Sequence, residues 1–129
     1  MSSKRNPEDL ENGYKKLQES LRALSDLLVY ATEDSKIVEA FRITGSTAMD
    51  LFRAEESAME SVDSPLLETN RTGHKKFLRD LGQVLHEARA DRTGIHAANI
   101  LRKEVIPWLT EHHAVVDRQV IRFIGTATA

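Results

Sequence analysis

The side chains that could do chemistry in this sequence are imidazoles and carboxylates, which recur in three short patterns and a single aspartate. The patterns read Leu-Phe-x-x-Glu-Glu-x-x-Met from Leu51, Asn-x-x-x-His-x-x-Phe-Leu from Asn70 and Trp-Leu-x-x-His from Trp108, and the aspartate is Asp117. Imidazoles and carboxylates bind divalent metal ions and transfer protons. Serine triads, phosphate-binding glycine loops and nucleotide motifs are absent from the sequence. Metal binding and proton transfer are therefore the chemistries that these residue types allow.

Composition and charge narrow the class of protein. The 129 residues fit one domain, 1–129, and 40% hydrophobic with 29% charged residues is an ordinary balance for a folded chain. The formal net charge is -2 and the 18 Lys and Arg residues are dispersed, so we expect no nucleic-acid partner. Because cysteine is absent, disulfides and thiolate metal sites are excluded. No apolar run is long enough for a membrane span or a signal peptide, so we expect a cytoplasmic protein of bacterial type, monomeric or weakly self-associating.

Apolar residues recur every three to four positions along most of the chain, which predicts amphipathic helices. Pro7 suits the first turn of one helix, and the break at Pro65 separates two others. Pro107 falls inside the last helix and predicts a kink or the loss of one hydrogen bond. The four predicted helices cover about 8–31, 35–61, 66–90 and 95–124. Four helices with short connections favour an all-α, up-down-up-down four-helix bundle with its helical core at about 8–124.

The same periodicity predicts which side chains are buried. The predicted core includes Phe41, Phe52, Phe77, Trp108, Met49 and Met59. Tyr14 lies on the apolar stripe of the first helix, so we expect a buried ring whose hydroxyl has a hydrogen-bond partner. His112 and His113 are adjacent, so one of them must face outward, and His112 shares a side of the helix with Trp108. The residues predicted to face solvent are Glu56, His86 and His96.

The order and spacing of the three patterns and the aspartate resemble those of hemerythrins, four-helix bundles that hold two irons between their helices. The resemblance covers nearly the whole chain. In that family five histidines bind the irons, and one glutamate and one aspartate bridge them. The resemblance implies that Glu55 and Asp117 are the carboxylates of a metal site and that His74 and His112 are its imidazoles.

Three positions depart from the family pattern, because Tyr14, Leu51 and Asn70 stand where it has histidine. Leucine cannot bind a metal ion, and a neutral phenol or an amide oxygen is a weak ligand. Tyr14 and Leu51 together replace both imidazoles of one iron. We therefore expect at most one ion, iron or another divalent metal such as manganese or zinc, and no reversible oxygen carriage. The resemblance then implies a role in iron- or oxygen-related sensing or storage.

Two other hypotheses stay open. One is a metal-free bundle that serves as a protein-interaction or scaffold module, with a partner that the sequence does not identify. Its buried carboxylates would need hydrogen-bond donors, which could come from Tyr14, Asn70, His74 and His112. The other is a single-iron site that activates oxygen or peroxide. Nothing in the sequence specifies an organic substrate, so an enzyme is not expected.

Overall fold

The computed structural model describes residues 7–30, 33–90 and 93–114, and every regular element within these ranges is a helix. The first three helices are α1 (Pro7–Tyr30), α2 (Asp34–Ser61) and α3 (Leu67–Ala90). The fourth helix consists of α4 (Ile95–Ile100), a π-helical turn (Leu101–Val105) and α5 (Ile106–His112). The prediction of an all-helical chain with four helices is confirmed for the described residues. The predicted extension of the fourth helix to about residue 124 lies outside them.

The fourth helix is continuous but changes its hydrogen-bond register just before Pro107. The backbone keeps right-handed helical angles at Leu101, Val105 and Ile106. In the π-helical turn the N–H of Ile106 donates to the carbonyl of Leu101, five residues back rather than four. Proline has no N–H, so a helix that contains it must rearrange its bonds nearby. The disturbance predicted at Pro107 therefore takes the form of a widened turn.

The connection between α2 and α3 is a tight turn around Ser64. The N–H of Ser64 donates to the carbonyl of Met59 at 2.9 Å, and Asp63 adopts a positive φ of 50°. The Ser64 hydroxyl accepts a hydrogen bond from the N–H of Leu66 at 3.2 Å, which satisfies a donor at the start of α3. Because the turn is short, the last turns of α2 face the first turns of α3.

The core is built from the apolar stripes of all four helices. Phe41, Phe52 and Phe77 are buried as predicted, and Trp108 is only partly buried, packed against the edge of the core. The stripe of α1 supplies five almost fully buried leucines, namely Leu10, Leu17, Leu21, Leu24 and Leu28. Gly94 begins α4 with a φ of +69°, and its Cα lies so close to the carbonyl of Leu28 that an added Cβ would fall 2.0 Å from that oxygen.

The surface agrees with the sequence at two histidines and differs from it at one methionine. His86 and His96 are exposed, as predicted, and Met59 is fully buried. Met49 is 39% exposed, so its assignment to the core is wrong. It lies on the side of α2 that borders a groove, where the apolar stripe ends. Of the described helices, none is both long and apolar enough to span a membrane.

Candidate metal centre

Three buried side chains from three helices meet in the interior. Glu55 comes from α2, His74 from α3 and His112 from α5, and their exposed fractions are 1%, 2% and 8%. Nε2 of His74 lies 2.8 Å from Oε1 of Glu55 and 3.3 Å from Nε2 of His112. Nε2 of His112 lies 3.7 Å from the same Oε1. Within the described ranges this is the one group of three such side chains whose ligand atoms all lie within 4.8 Å of one another.

The dimensions of this group suit a divalent ion. The three distances define a triangle whose centre is about 1.9 Å from each atom, whereas zinc binds nitrogen and oxygen at about 2.0–2.2 Å. An ion just outside the plane of the triangle would therefore contact all three atoms without movement of the helices. Two imidazoles and a carboxylate suit zinc, iron or manganese and do not by themselves select one of them.

Glu56 fixes the orientation of the His74 ring. Its Oε2 lies 2.7 Å from Nδ1 of His74, while Phe52 stacks on the ring at 3.9 Å between centroids with planes 7° apart. A carboxylate beside Nδ1 favours a proton on that nitrogen, and a neutral ring with its proton there would have its lone pair on Nε2, toward the centre. The ring is thus held by a hydrogen bond at one edge and by an aromatic face above its plane.

The prediction that Glu56 faces solvent is wrong. Its side chain is only 27% exposed, and its Oε1 accepts a hydrogen bond from Nε of Arg71 at 3.3 Å. Arg71 also donates to Glu68 at 2.8 Å, and the hydrogen bonds to Glu68 and Glu56 raise the pKa of Arg71. Since Arg71 and His74 are three residues apart on α3, they lie on one face. In the sequence, the only sign of this role was that Glu56 directly follows Glu55, so that its carboxylate could also reach α3.

His112 is held by aromatic stacking. Trp108, one turn earlier, stacks on its ring at 4.8 Å between centroids with planes 13° apart. The Trp108 ring passes over Gly73, where an added Cβ would lie 3.4 Å from Cζ2 of Trp108. A distance of 3.4 Å is an ordinary van der Waals contact, so the Trp108 ring packs against α3 at Gly73. The spacing of Trp108 and His112 predicted this shared side of the helix.

Tyr14, Leu51 and Asn70 are not members of this group of ligand atoms. Nδ2 of Asn70 is 3.0 Å from the sulfur of Met59, and its buried Oδ1 has no hydrogen-bond partner among the described residues. Leu51 is buried beside Gly13, where it fills volume. The Tyr14 hydroxyl accepts a hydrogen bond from Gln18 at 3.3 Å, which confirms the expected partner. The expectation that Tyr14 and Asn70 could donate to the buried carboxylates concerns Asp117 as well as Glu55, and Asp117 lies outside the described residues.

His113 does not face outward as the adjacent pair suggested. Its side chain is 18% exposed and stacks on Tyr14 at 3.6 Å between centroids with planes 3° apart. Its Nε2 lies 2.9 Å from Oε2 of Glu11. Adjacent helical side chains point about 100° apart, which is enough to send His112 to the centre and His113 to the α1 interface. Asp117, the fourth predicted ligand, lies outside the described residues.

Comparison with known proteins adds no relative for this chain. No protein-family model matches it, and neither a curated protein nor a solved structure matches it. The arrangement of the site residues allows two chemical states, one with an ion between Glu55, His74 and His112, and one in which protons on the imidazoles bind the carboxylates.

Proposed function

We propose that this protein is a hemerythrin-like metal-binding bundle that holds one divalent ion through Glu55, His74 and His112. The observation that carries the proposal is the convergence of their three ligand atoms at 2.8, 3.3 and 3.7 Å in a buried site, with Nδ1 of His74 hydrogen-bonded to Glu56. A carboxylate on the far nitrogen is the usual partner of a metal-binding histidine. Asp117 remains a predicted fourth ligand, five residues after His112.

The up-down-up-down topology is part of this proposal, and contacts between helix ends support it. Asp34 at the start of α2 pairs with Arg89 at the end of α3 at 3.0 Å. At the other end of the same helices, Met59 contacts Asn70. Similar pairs join the remaining neighbours at matching depths, namely Ser20 with Thr44, Asp26 with Arg102, Glu11 with His113 and Glu87 with His96. The two α2–α3 pairs, and the two pairs between α1 and the fourth helix, each join earlier residues of one helix to later residues of the other, as antiparallel neighbours require.

The site supports one ion rather than a pair. A second ion would need imidazoles from the positions of Tyr14 and Leu51, and the rings and methyl groups there are packed in the apolar core. With one ion the protein lacks the two-iron centre that reversible oxygen carriage needs in hemerythrins. The proposed role is iron- or oxygen-related sensing or storage, with no substrate turnover. When bound, an ion would supply the charge that balances Glu55 and would cross-link α2, α3 and α5.

The alternative is a metal-free bundle that acts as an interaction or scaffold module. The observation that favours it is that both ring nitrogens of His74 lie within hydrogen-bond distance of carboxylates, at 2.7 Å from Glu56 and 2.8 Å from Glu55. A ring that carries both protons would satisfy these contacts without an ion. In that state the buried charge of Glu55 is balanced by His74.

Metal content decides between the two functions. Protein purified without an affinity tag, after growth with iron, is expected to contain one metal ion per chain by elemental analysis. Titration of chelator-treated protein with iron, zinc and manganese should saturate at the same ratio. A His112→Ala variant should bind far more weakly, because it removes one of two imidazoles. If the purified protein contains no ion and binds none in titration, the metal-binding function is contradicted and the metal-free scaffold function is supported.

A further inference from the structure

We propose that Glu56 is a positioning residue of the metal centre, which keeps Nε2 of His74 free to bind the ion, and that Arg71 restrains Glu56 in turn. The proposal rests on the metal-binding function above and deepens it. It assigns a role to an acidic residue that contacts no other member of the ligand triangle. The contacts that carry it are Nδ1 of His74 to Oε2 of Glu56 at 2.7 Å and Nε of Arg71 to Oε1 of Glu56 at 3.3 Å.

In a neutral His74 ring, the two nitrogens compete for one proton. A neutral imidazole carries its proton on either Nδ1 or Nε2, and only the nitrogen without it can bind a metal ion. In His74 each nitrogen faces a carboxylate, Nδ1 facing Glu56 at 2.7 Å and Nε2 facing Glu55 at 2.8 Å. If Glu56 were absent, the contact with Glu55 would favour the proton on Nε2, where it blocks the ion. Glu56 therefore determines whether the ring presents a lone pair or a proton to the centre.

Both oxygens of Glu56 are used, and this makes the hydrogen bond to His74 directional. Oε2 faces the ring, and Oε1 is held by Arg71, which donates at the same time to Glu68 at 2.8 Å. A carboxylate bound at both oxygens has little freedom to rotate away from Nδ1. Phe52 limits rotation of the imidazole itself by stacking on its face. Arg71, Glu56 and His74 thus form one chain of contacts that ends at the metal centre.

This chain of contacts also connects the buried centre to the surface. Glu56, Glu68, Arg71 and His74 line a groove of about 480 Å³ between α2 and α3. The exposed fraction of the side chain is 81% for Glu68, 37% for Arg71, 27% for Glu56 and 3% for His74. Exposure therefore falls along the chain of contacts toward the centre. A substitution in the groove can change metal affinity without touching a ligand.

Metal affinity measured by competition with a chelator tests the proposal. Glu56→Ala is expected to lower zinc affinity about 10–100-fold, the range found when hydrogen-bond partners of metal-binding histidines are removed. Glu56→Gln keeps the shape and an acceptor oxygen but loses the charge, so its loss should be smaller. Arg71→Gln should lower zinc affinity too, but by less than Glu56→Ala does. Glu60→Gln is the matched control, because Glu60 is an exposed glutamate one turn after Glu56 on α2, and it should bind as wild type does.

The protonated nitrogen of His74 gives a readout that a merely structural role would not move. Imidazole ¹H–¹⁵N spectra of the metal-free protein should show a proton on Nδ1 of His74 in wild type, and the population of rings protonated at Nδ1 should fall in Glu56→Gln and further in Glu56→Ala. Unchanged affinity in both Glu56 variants, or an unchanged proton position, would overturn the positioning role while the metal site stands. If wild type itself binds no ion, the metal function fails, and the proton position alone still decides whether Glu56 orients His74.

Discussion

Replacement of His74 by alanine should destabilise the bundle even when no metal is present. The change leaves Glu55, which is 1% exposed, without the nitrogen that now lies 2.8 Å from it, at a cost of about 1–3 kcal/mol. It also removes the ring that stacks on Phe52, for about 0.5–1.5 kcal/mol more. The hydrogen bond to Glu56 adds little, because that side chain is partly exposed. A total of about 2–4 kcal/mol corresponds to a fall in melting temperature of roughly 8–15 °C for a chain of this length.

Metal should add a second, separable effect. An ion at a concentration of about 100 Kd stabilises the folded wild type by about 2.7 kcal/mol, and His74→Ala should lose this increment. Thermal melts followed by circular dichroism, each with chelator, zinc and anaerobic iron, therefore separate the two contributions. His86→Ala is the control, since His86 is an exposed residue on the same helix, and it should stay within about 0.5 kcal/mol of wild type.

Two results would refute this reasoning at different points. A wild-type melting temperature that ignores zinc, iron and chelator alike contradicts the metal site. A His74→Ala protein that melts with wild type in chelator contradicts the claim that Glu55 depends on His74 in the buried site. A variant that is destabilised equally in all three conditions supports the metal-free network.

Four further predictions concern the packing and the centre. Gly94→Ala should destabilise the fold by at least about 2 kcal/mol in urea unfolding, because its φ is +69° and the new Cβ would meet the carbonyl of Leu28. Gly82→Ala, within α3 and with nothing within 4 Å of the new Cβ, should instead stabilise by up to about 1 kcal/mol, and a loss of stability there would contradict the packing described. Zinc should change the fluorescence emission of Trp108, the only tryptophan, because its ring stacks on His112, and the midpoint of this change should equal the midpoint of zinc binding. An emission change that persists in His112→Ala would contradict this. Anaerobic iron loading followed by oxygen should not produce the reversible visible absorption band of an oxygenated hemerythrin, and its appearance with two irons per chain would contradict the single-ion site.

The sequence by itself determined the helices, and the resemblance of its spaced motifs to a known pattern implied which residues meet between them. A period of three to four residues fixes which side of each helix is apolar, and this alone predicted the bounds of α1, α2 and α3 to within one or two residues. It also predicted the disturbance near Pro107, because the missing N–H of proline acts through local covalent structure. Spacing then placed Glu55 and His74 on inward faces, and the shared side of Trp108 and His112 identified which of two adjacent histidines enters the centre.

Only the tertiary structure decided what happens at the edges of those inward faces. Glu56 points about 100° away from Glu55 around α2, so periodicity assigned it to solvent. Its position beside His74 depends on how closely α3 approaches and on Arg71 across the groove. Met49 lies on another part of α2 that the neighbouring helix does not cover, so its side chain is exposed. Distances between helices depend on the packing of many side chains at once, and a one-dimensional pattern records only the direction in which each side chain points.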